Sequence, residues 1–297
     1  MIQPLNQAGI LMTKILRSKD IVEREVLYLK ERIQKLNTIV PKLRVVLIGN
    51  NPSSHLYVKR KKEFCQKIGA SCEVLFLKES TTKKDLESIL TETNHDETIH
   101  GCLVQLPLPE HLTNFDFQNY ISPKKDVDGF HKDNIFSIYK NLKGKYLLPC
   151  TPVGIIKLLK SFNIEIKSKN ICVIGRSLIV GKPLAMMLCN EDATVTLCHS
   201  KSLNLFDSIK QADIIISAIG SPKFLKKENF NPKKKQVIID VGISSLPNGK
   251  ISGDVDFDQV KDIAEAITPV PGGIGPMTIL SLANNLVTAT ENQTSKD

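Results

Sequence analysis

The sequence predicts an α/β protein of two domains: an N-terminal parallel sheet covered by helices, and a Rossmann-like nucleotide-binding domain. Three observations carry that reading. Short apolar runs alternate with segments of helical periodicity, the pattern that builds buried parallel strands joined by crossover helices. The chain has 297 residues, more than the about 100–200 usual for one domain. A glycine-bounded turn at 175–181 stands between an apolar run and a helix, where a dinucleotide fold keeps its phosphate turn.

The elements follow in order. Residues 21–36 place Val22, Val26, Leu29, Ile33 and Leu36 at helical spacing and read as an amphipathic helix. The apolar run 43–48 ends at Gly49 and predicts a buried strand. Asn51-Pro52-Ser53-Ser54 is a turn with a cap candidate, and a helix over 55–68 follows. Next come a strand over 72–77, a helix over 82–90, and a strand over 101–105 stopped by Leu106-Pro107-Leu108-Pro109. Pro149-Cys150-Thr151-Pro152 opens the second domain. It continues with a helix over 153–162, a strand over 171–174, a helix over 182–188, a strand over 194–198, a helix over 205–211, and strands over 213–218 and 237–241. A last helix, 276–290, is expected to pack back on the first domain. The expected division is therefore 1–148 plus 277–297 against 149–276. Residues 291–297 form the one stretch expected to be disordered.

Composition narrows the function. Seven cysteines without a C-x-x-C pair argue against a disulfide framework or zinc ribbon and fit a reducing compartment. No apolar run approaches the roughly 20 residues that span a bilayer, and the patch Ile10-Leu11-Met12 lacks the flanks of a secretory signal. A cytoplasmic protein with no membrane partner is expected. Net charge is +9, which suits anionic ligands. The lysine clusters are dispersed and no nucleic-acid motif accompanies them, so no nucleic-acid partner is expected.

Two groups of residues carry chemistry. In the turn Gly175-Arg176-Ser177-Leu178-Ile179-Val180-Gly181, glycines allow close backbone approach and a helix N-terminus offers N–H groups to pyrophosphate. The spacing is not G-x-G-x-x-G, and by itself a plain strand-to-helix turn explains it equally well. The next strand ends at Cys198-His199-Ser200-Lys201 without the acidic residue that usually holds a ribose 2′-hydroxyl. Ser200 and Arg176 would instead suit a 2′-phosphate, which predicts NADP. The second group lies in the first domain. Tyr57 and Lys61, four residues apart, share a helix face, although the run Lys59-Arg60-Lys61-Lys62 also reads as solvated surface. A lysine serves as acid/base only if its surroundings bring its titration toward the working pH. Gln105, at a strand end, could orient it without stabilising its charge as a carboxylate would. The loop Lys125-Asp126-Val127-Asp128-Gly129-Phe130 is thin as a metal site, with His131 its one nearby histidine, and no metal is expected. It fits better a carboxylate clamp for an amidine-like edge such as a pterin's. Pro269-Val270-Pro271-Gly272-Gly273-Ile274-Gly275 is a plain helix entry or a backbone wall beside a ligand.

Taken together and in this order, several blocks resemble the bifunctional methylenetetrahydrofolate dehydrogenase/cyclohydrolase family. They are Tyr57-Val58 with Lys61, residues 104–109, the loop 125–130, Pro149-Cys150-Thr151-Pro152, the turn 175–181 with Lys182-Pro183, Ile239-Asp240-Val241-Gly242-Ile243, Gly253-Asp254-Val255, and 268–278. The resemblance covers roughly residues 43–280. It implies NADP-dependent oxidation of methylenetetrahydrofolate to the methenyl cation, then hydrolysis to 10-formyltetrahydrofolate, in service of one-carbon metabolism including purine biosynthesis. Lys61 would handle proton transfer in the hydrolysis, Gln105 would tune it, Tyr57 would pack on the folate and Asp128 would anchor the pterin. Pro271, Gly272 and Gly273 would line the folate pocket. Gly175, Arg176, Ser177, Gly181, Ser200 and Ile243 would hold NADP. A homodimer is implied, and the +9 charge would help attract folate that carries a polyglutamate tail. The chain departs from the family's pattern at Leu16-Arg17-Ser18-Lys19, in place of an Asp-Gly-Lys segment, and at Phe136, where a glycine is usual. No G-x-x-x-x-G-K-[ST] loop for an ATP-dependent ligase activity occurs. Two rival readings remain at this stage. An NADP dehydrogenase of another substrate leaves the Gln-Leu-Pro-Leu-Pro and Pro-Gly-Gly blocks unexplained, and a basic nucleic-acid-binding module explains the charge alone.

Overall fold

A computed structural model describes residues 13–246 and 249–295. The patch Ile10-Leu11-Met12 lies outside the described residues. The chain opens with β1 (Lys14–Ile15) and α1 (Lys19–Gln34). β2 (Lys42–Ile48), α2 (Pro52–Ile68), β3 (Ser71–Leu77), α3 (Lys83–His95) and β4 (Gly101–Val104) follow. After α4 (Lys132–Tyr139) come α5 (Cys150–Ser161), β5 (Asn170–Ile174), α6 (Gly181–Asn190), β6 (Thr194–Cys198), α7 (Leu205–Gln211), β7 (Ile214–Ser217) and β8 (Val237–Asp240). A small hairpin of β9 (Ser244–Ser245) and β10 (Ile251–Ser252) leads to α8 (Phe257–Val260), β11 (Ala266–Ile267) and the long α9 (Ile274–Thr294).

The chain divides into two compact units. One comprises Val22–Cys150 with the segment that starts at Ile279. Its three strands are parallel, in the order β3-β2-β4. Val46, Leu86, Leu90, Val104 and Leu112 form a core cluster there. The C-terminal part of α9 is fastened to this unit by polar contacts. Arg32 of α1 donates to Glu291 in a fork (2.9 and 2.5 Å), to Asn284 Oδ1 (2.7 Å) and to Thr288 Oγ1 (2.9 Å). Gln293 donates to His100 O at 2.8 Å. The expectation of disorder from residue 291 therefore fails as far as Thr294, because these side chains continue the helix and hold it; Lys296 and Asp297 lie outside the described residues.

The other unit comprises Thr151–Thr278 and, among the described residues, 13–21. Its main sheet has six strands, all parallel, in the order β1-β11-β8-β7-β5-β6. The sequence-based division assigned residues 13–21 to the other domain. Here β1 pairs with β11, and Leu16 N–H donates to Ile267 O at 2.8 Å. Two-residue strands carry no periodicity, so neither β1 nor β11 was legible. The buried side chains of Cys172, Ile174, Ile215, Ile238 and Ile267 form the core on this sheet. All seven cysteines are free, and five are buried, as small core residues are.

Candidate active site

α2 carries the first two candidate residues, and its ends are well defined. The Asn51 side chain accepts from Ser53 N–H (2.9 Å) and Ser54 N–H (3.2 Å), and Pro52 occupies the first turn, where its missing N–H costs nothing. The helix thus begins one turn before the expected start at His55. It ends at Gly69, with φ of 88°, and Ala70 N–H donates back to Cys65 O at 2.9 Å, a left-handed cap that favours glycine. Ser54, Val58, Cys65 and Ile68 form the buried face. Tyr57 and Lys61 flank it and are half-buried, whereas Lys59, Arg60 and Lys62 are exposed. The cationic run therefore splits: three members are solvated surface and Lys61 turns inward. The stem of Lys61 lies beside an apolar hollow that Leu43, Phe64, Cys65, Ile279 and Leu282 help to line.

Lys61 Nζ donates to Gln105 Oε1 at 3.0 Å. Gln105 follows the last residue of β4 and is 8% exposed. Its own Nε2 donates to Leu106 O at 2.7 Å, and the same carbonyl accepts from Ser54 Oγ at 3.3 Å. That second bond fixes which end of the amide faces the lysine, since Leu106 O can only receive a donor.

The loop 125–130 places its two aspartates differently. Asp126 is buried and takes three hydrogen bonds from within the chain, so it is not available to a ligand. Burial pushes its carboxyl up to about 6, and the Asp128 charge adds to that, against the donors from His131 and Asn134. Asp128 accepts no hydrogen bond among the described residues. Burial raises its carboxyl above the usual carboxylate range, and the positive charge of Lys61 works the other way. His131, weighed as a metal partner, instead caps α4: its Nδ1 accepts from Asp133 N–H at 3.1 Å. Among the described residues no cluster of His, Cys, Asp and Glu could hold a metal ion. The sequence did not single out Ser54, Asn134 or Asn285. Asn285 of α9 donates to Val127 O and Leu148 O, each at 2.8 Å. A buried amide of this kind reads in sequence as an ordinary polar helix residue.

The nucleotide turn lies in the other unit. Gly175 has φ of 116°, and a Cβ there would come within 2.4 Å of Ala218 O; at Gly181 it would come within 1.8 Å of Gly175 O. Both positions therefore demand glycine. Ser177 Oγ accepts from Val180 N–H (3.2 Å) and Gly181 N–H (3.4 Å), so it shapes the entry to α6. Arg176 and Ser200 are exposed. They stand two residues beyond the ends of β5 and β6, which pair in parallel with Ile174 opposite Cys198. Ile243, 43% exposed, follows β8.

The blocks around Asp240 and Asp254 are consumed inside the fold. Asp240 accepts from Gly242, Asp254 and Val255 N–H at 2.9–3.1 Å. Asp254 accepts from Ser217 Oγ, Ile219 N–H and Ser221 N–H at 2.8–2.9 Å. Burial pushes Asp240 up to about 7 against its donors. Pro271-Gly272-Gly273 belongs to this unit too. Gly272 has φ of 101°, and its carbonyl accepts from Ser18 N–H and Ser18 Oγ, both at 3.0 Å. The departing segment Leu16-Arg17-Ser18-Lys19 thus holds the Pro-Gly-Gly turn.

A model of the tetrahydrofolate dehydrogenase/cyclohydrolase catalytic domain matches residues 16–128, and the corresponding NAD(P)-binding domain matches residues 149–294. The chain belongs to the tetrahydrofolate dehydrogenase/cyclohydrolase family. It is 45% identical to the bifunctional protein FolD of Staphylococcus epidermidis over 281 residues, 94% of this chain and 97% of that protein. Among solved structures, a FolD methylenetetrahydrofolate dehydrogenase/cyclohydrolase from Campylobacter jejuni is 42% identical with a TM-score of 0.90, covering 94% of this chain and 99% of its own. A Trypanosoma brucei methylenetetrahydrofolate dehydrogenase-cyclohydrolase, solved with NADP and an inhibitor, is 30% identical with a TM-score of 0.90 over 97% of this chain and 100% of its own. The catalytic-domain match of this tetrahydrofolate dehydrogenase/cyclohydrolase contains Tyr57, Lys61, Gln105 and Asp128; the NAD(P)-domain match contains the remaining candidates.

Proposed function

We propose that this chain oxidises 5,10-methylenetetrahydrofolate with NADP+ and hydrolyses the methenyl product to 10-formyltetrahydrofolate. The observation that carries the reading is the lysine–glutamine pair, Lys61 Nζ to Gln105 Oε1 at 3.0 Å, with an Asp128 carboxylate that feels the Lys61 charge and accepts no internal hydrogen bond among the described residues.

The residues at the nucleotide turn fit a dinucleotide. At Gly175 and Gly181 the backbone packs too closely on Ala218 O and Gly175 O for a side chain, and the turn leads into the N-terminus of α6, the kind of position that accepts a pyrophosphate. The exposed Arg176 and Ser200 offer charge-assisted bonds to a 2′-phosphate. When bound, NADP+ supplies the two-electron acceptor for the methylene carbon. The chain's own residues do the rest. Asp128 takes paired N–H bonds from the pterin edge and sets the folate's orientation. Tyr57, one turn before Lys61, packs on the folate. In its neutral form Lys61 accepts a proton from the water that adds to the methenyl carbon and returns it to the ring nitrogen as the C–N bond breaks, while the remaining hydroxyl proton passes to solvent as the formyl C=O forms. Gln105 holds the amine through an uncharged acceptor at 3.0 Å. Pro271, Gly272, Gly273 and Ile243 serve as ligand walls.

Two absorbance assays test this. NADP+ reduction started from methylenetetrahydrofolate and methenyl decay started from methenyltetrahydrofolate should both exceed their blanks, with NAD+ used poorly. Folded protein inactive in both would overturn the reading. Among the described residues no helix is long and apolar enough to cross a membrane, and a cytoplasmic homodimer feeding purine biosynthesis accords with the same reading. So does a +9 charge that favours polyglutamylated folate; equal affinity for mono- and polyglutamylated folate would count against that last point.

A further inference from the structure

We infer that Asp126 is the positioning residue for Asp128, holding it through the backbone of the turn between them; the inference rests on the proposed role of Asp128 as the folate anchor. Asp126 Oδ1 accepts from Gly129 N–H at 3.1 Å. Oδ2 accepts from His131 N–H at 2.7 Å and from Asn134 Nδ2 at 2.9 Å. These bonds close a loop over Asp128 from both sides, so one side chain sets the turn that presents another. The rest of the loop is pinned independently. Lys125, also buried, donates to Thr93 O at 3.0 Å and Asp96 O at 2.8 Å, and Val127 O accepts from Asn285 at 2.8 Å. Gly129 has φ of 78°, and a Cβ there would come within 2.3 Å of Leu148 C. With both flanks fixed, the remaining freedom of Asp128 lies in the 127–129 turn, and Asp126 removes it.

The test separates this from a general structural role. Asp126→Asn keeps shape and volume, but its amide nitrogen cannot accept from Gly129 N–H, which then keeps only its bond to the Asp126 backbone carbonyl at 3.1 Å. Loss of that one bond to a charged acceptor corresponds to about 10-fold in an equilibrium. Methylenetetrahydrofolate KM should therefore rise about 10-fold, with NADP+ KM unchanged. In an Asp128→Asn background the same substitution should change folate KM less than 2-fold, because its effect runs through Asp128. Asn134→Ala, which removes one of the three donors to Asp126 along with the side chain's bonds to Pro123 O and Leu147 N–H, should follow the same pattern more weakly and stands in if Asp126→Asn does not fold. An equal loss in both backgrounds, or an unchanged folate KM in the single variant, would overturn the inference. If Asp128→Asn alone leaves folate KM unchanged, the anchor reading itself fails, a result distinct from the others.

Discussion

Replacing the amide of Gln105 by a carboxylate tests the proposed hydrolytic step most sharply. In Gln105→Glu an oxygen near the position of Oε1, 3.0 Å from Lys61 Nζ, acquires charge. Two unit charges about 3 Å apart attract by roughly 5 kcal/mol at an effective dielectric of about 20. Lys61 is half-buried, so water screens part of this, and roughly 1.5–3 kcal/mol is the range for a charge-assisted bond. All of it favours the ammonium over the neutral amine. At about 1.4 kcal/mol per decade, the neutral fraction falls about 10- to 100-fold at a fixed pH below the lysine's titration. Methenyl hydrolysis should drop by that factor at pH 7.5 and recover as pH rises, because the variant needs a higher pH to release the same proton. Gln105→Leu supplies the contrast: it removes the acceptor without adding charge, so its loss should not recover with pH. The assay is decay of methenyl absorbance between pH 6.5 and 9, corrected for the uncatalysed rate. Normal hydrolysis by Gln105→Glu with an unshifted pH profile would refute the assignment of Lys61 as the proton carrier.

Other outcomes follow from the same geometry. Lys61→Met should abolish methenyl hydrolysis while much NADP+ reduction survives; hydrolysis at the wild-type rate would sink the lysine's role. Arg176→Ala should raise NADP+ KM about 10- to 100-fold, the worth of a charge-assisted bond, and leave NAD+ KM nearly unmoved, so a matching loss with both cofactors would contradict a 2′-phosphate contact. Asp254→Ala orphans three donors and should cost at least about 3 kcal/mol of stability, read as a fall in the urea midpoint. Asp126 and Asp240 are raised to about 6 and about 7, above the usual unfolded value near 3.9. The folded chain therefore holds protons that the unfolded chain has released between pH 4 and those values. Stability from these groups should fall with rising pH across that window, by up to about 1.4 kcal/mol per unit per group, and level off above about pH 7. Melting temperatures that rise steadily from pH 5 to 7 would contradict this.

Much of the scaffold was legible because its strands are apolar runs bounded by turn residues, and both sheets were expected to be parallel. The missed pieces share a physical reason. β1 and β11 are two residues each, and they form because neighbouring strands offer free ladder positions. α4 begins at a histidine cap, which lies outside the usual capping set. In the site, helical spacing put Tyr57 and Lys61 on one face but could not say which of four adjacent cations turns inward; packing of Val58 and Cys65 decides it. Asp126 and Asp128 look alike in sequence. Only the placement of three N–H donors separates the one built into the turn from the one left open.

The same distinction explains why so many acidic and glycine blocks gather at strand ends. In an open α/β sheet, ligands sit beyond the carboxyl ends of the strands. There the chain leaves the ladder, and its N–H groups lose their sheet partners. Water would satisfy them, but a turn stays fixed when the chain itself supplies the acceptor. One buried carboxylate accepts several such donors, three at Asp240 and two at Asp254. Asp240 and Asp254 do this for the turns after β7, β8 and β10, and Gly242 and Gly253 let the carboxylates come so near that a Cβ at either would lie within 2.1 Å of an aspartate oxygen. Their cost is the raised proton affinity of Asp240. Their benefit is that the backbone donors of these turns are satisfied within the chain, which fixes the turns that follow the strands.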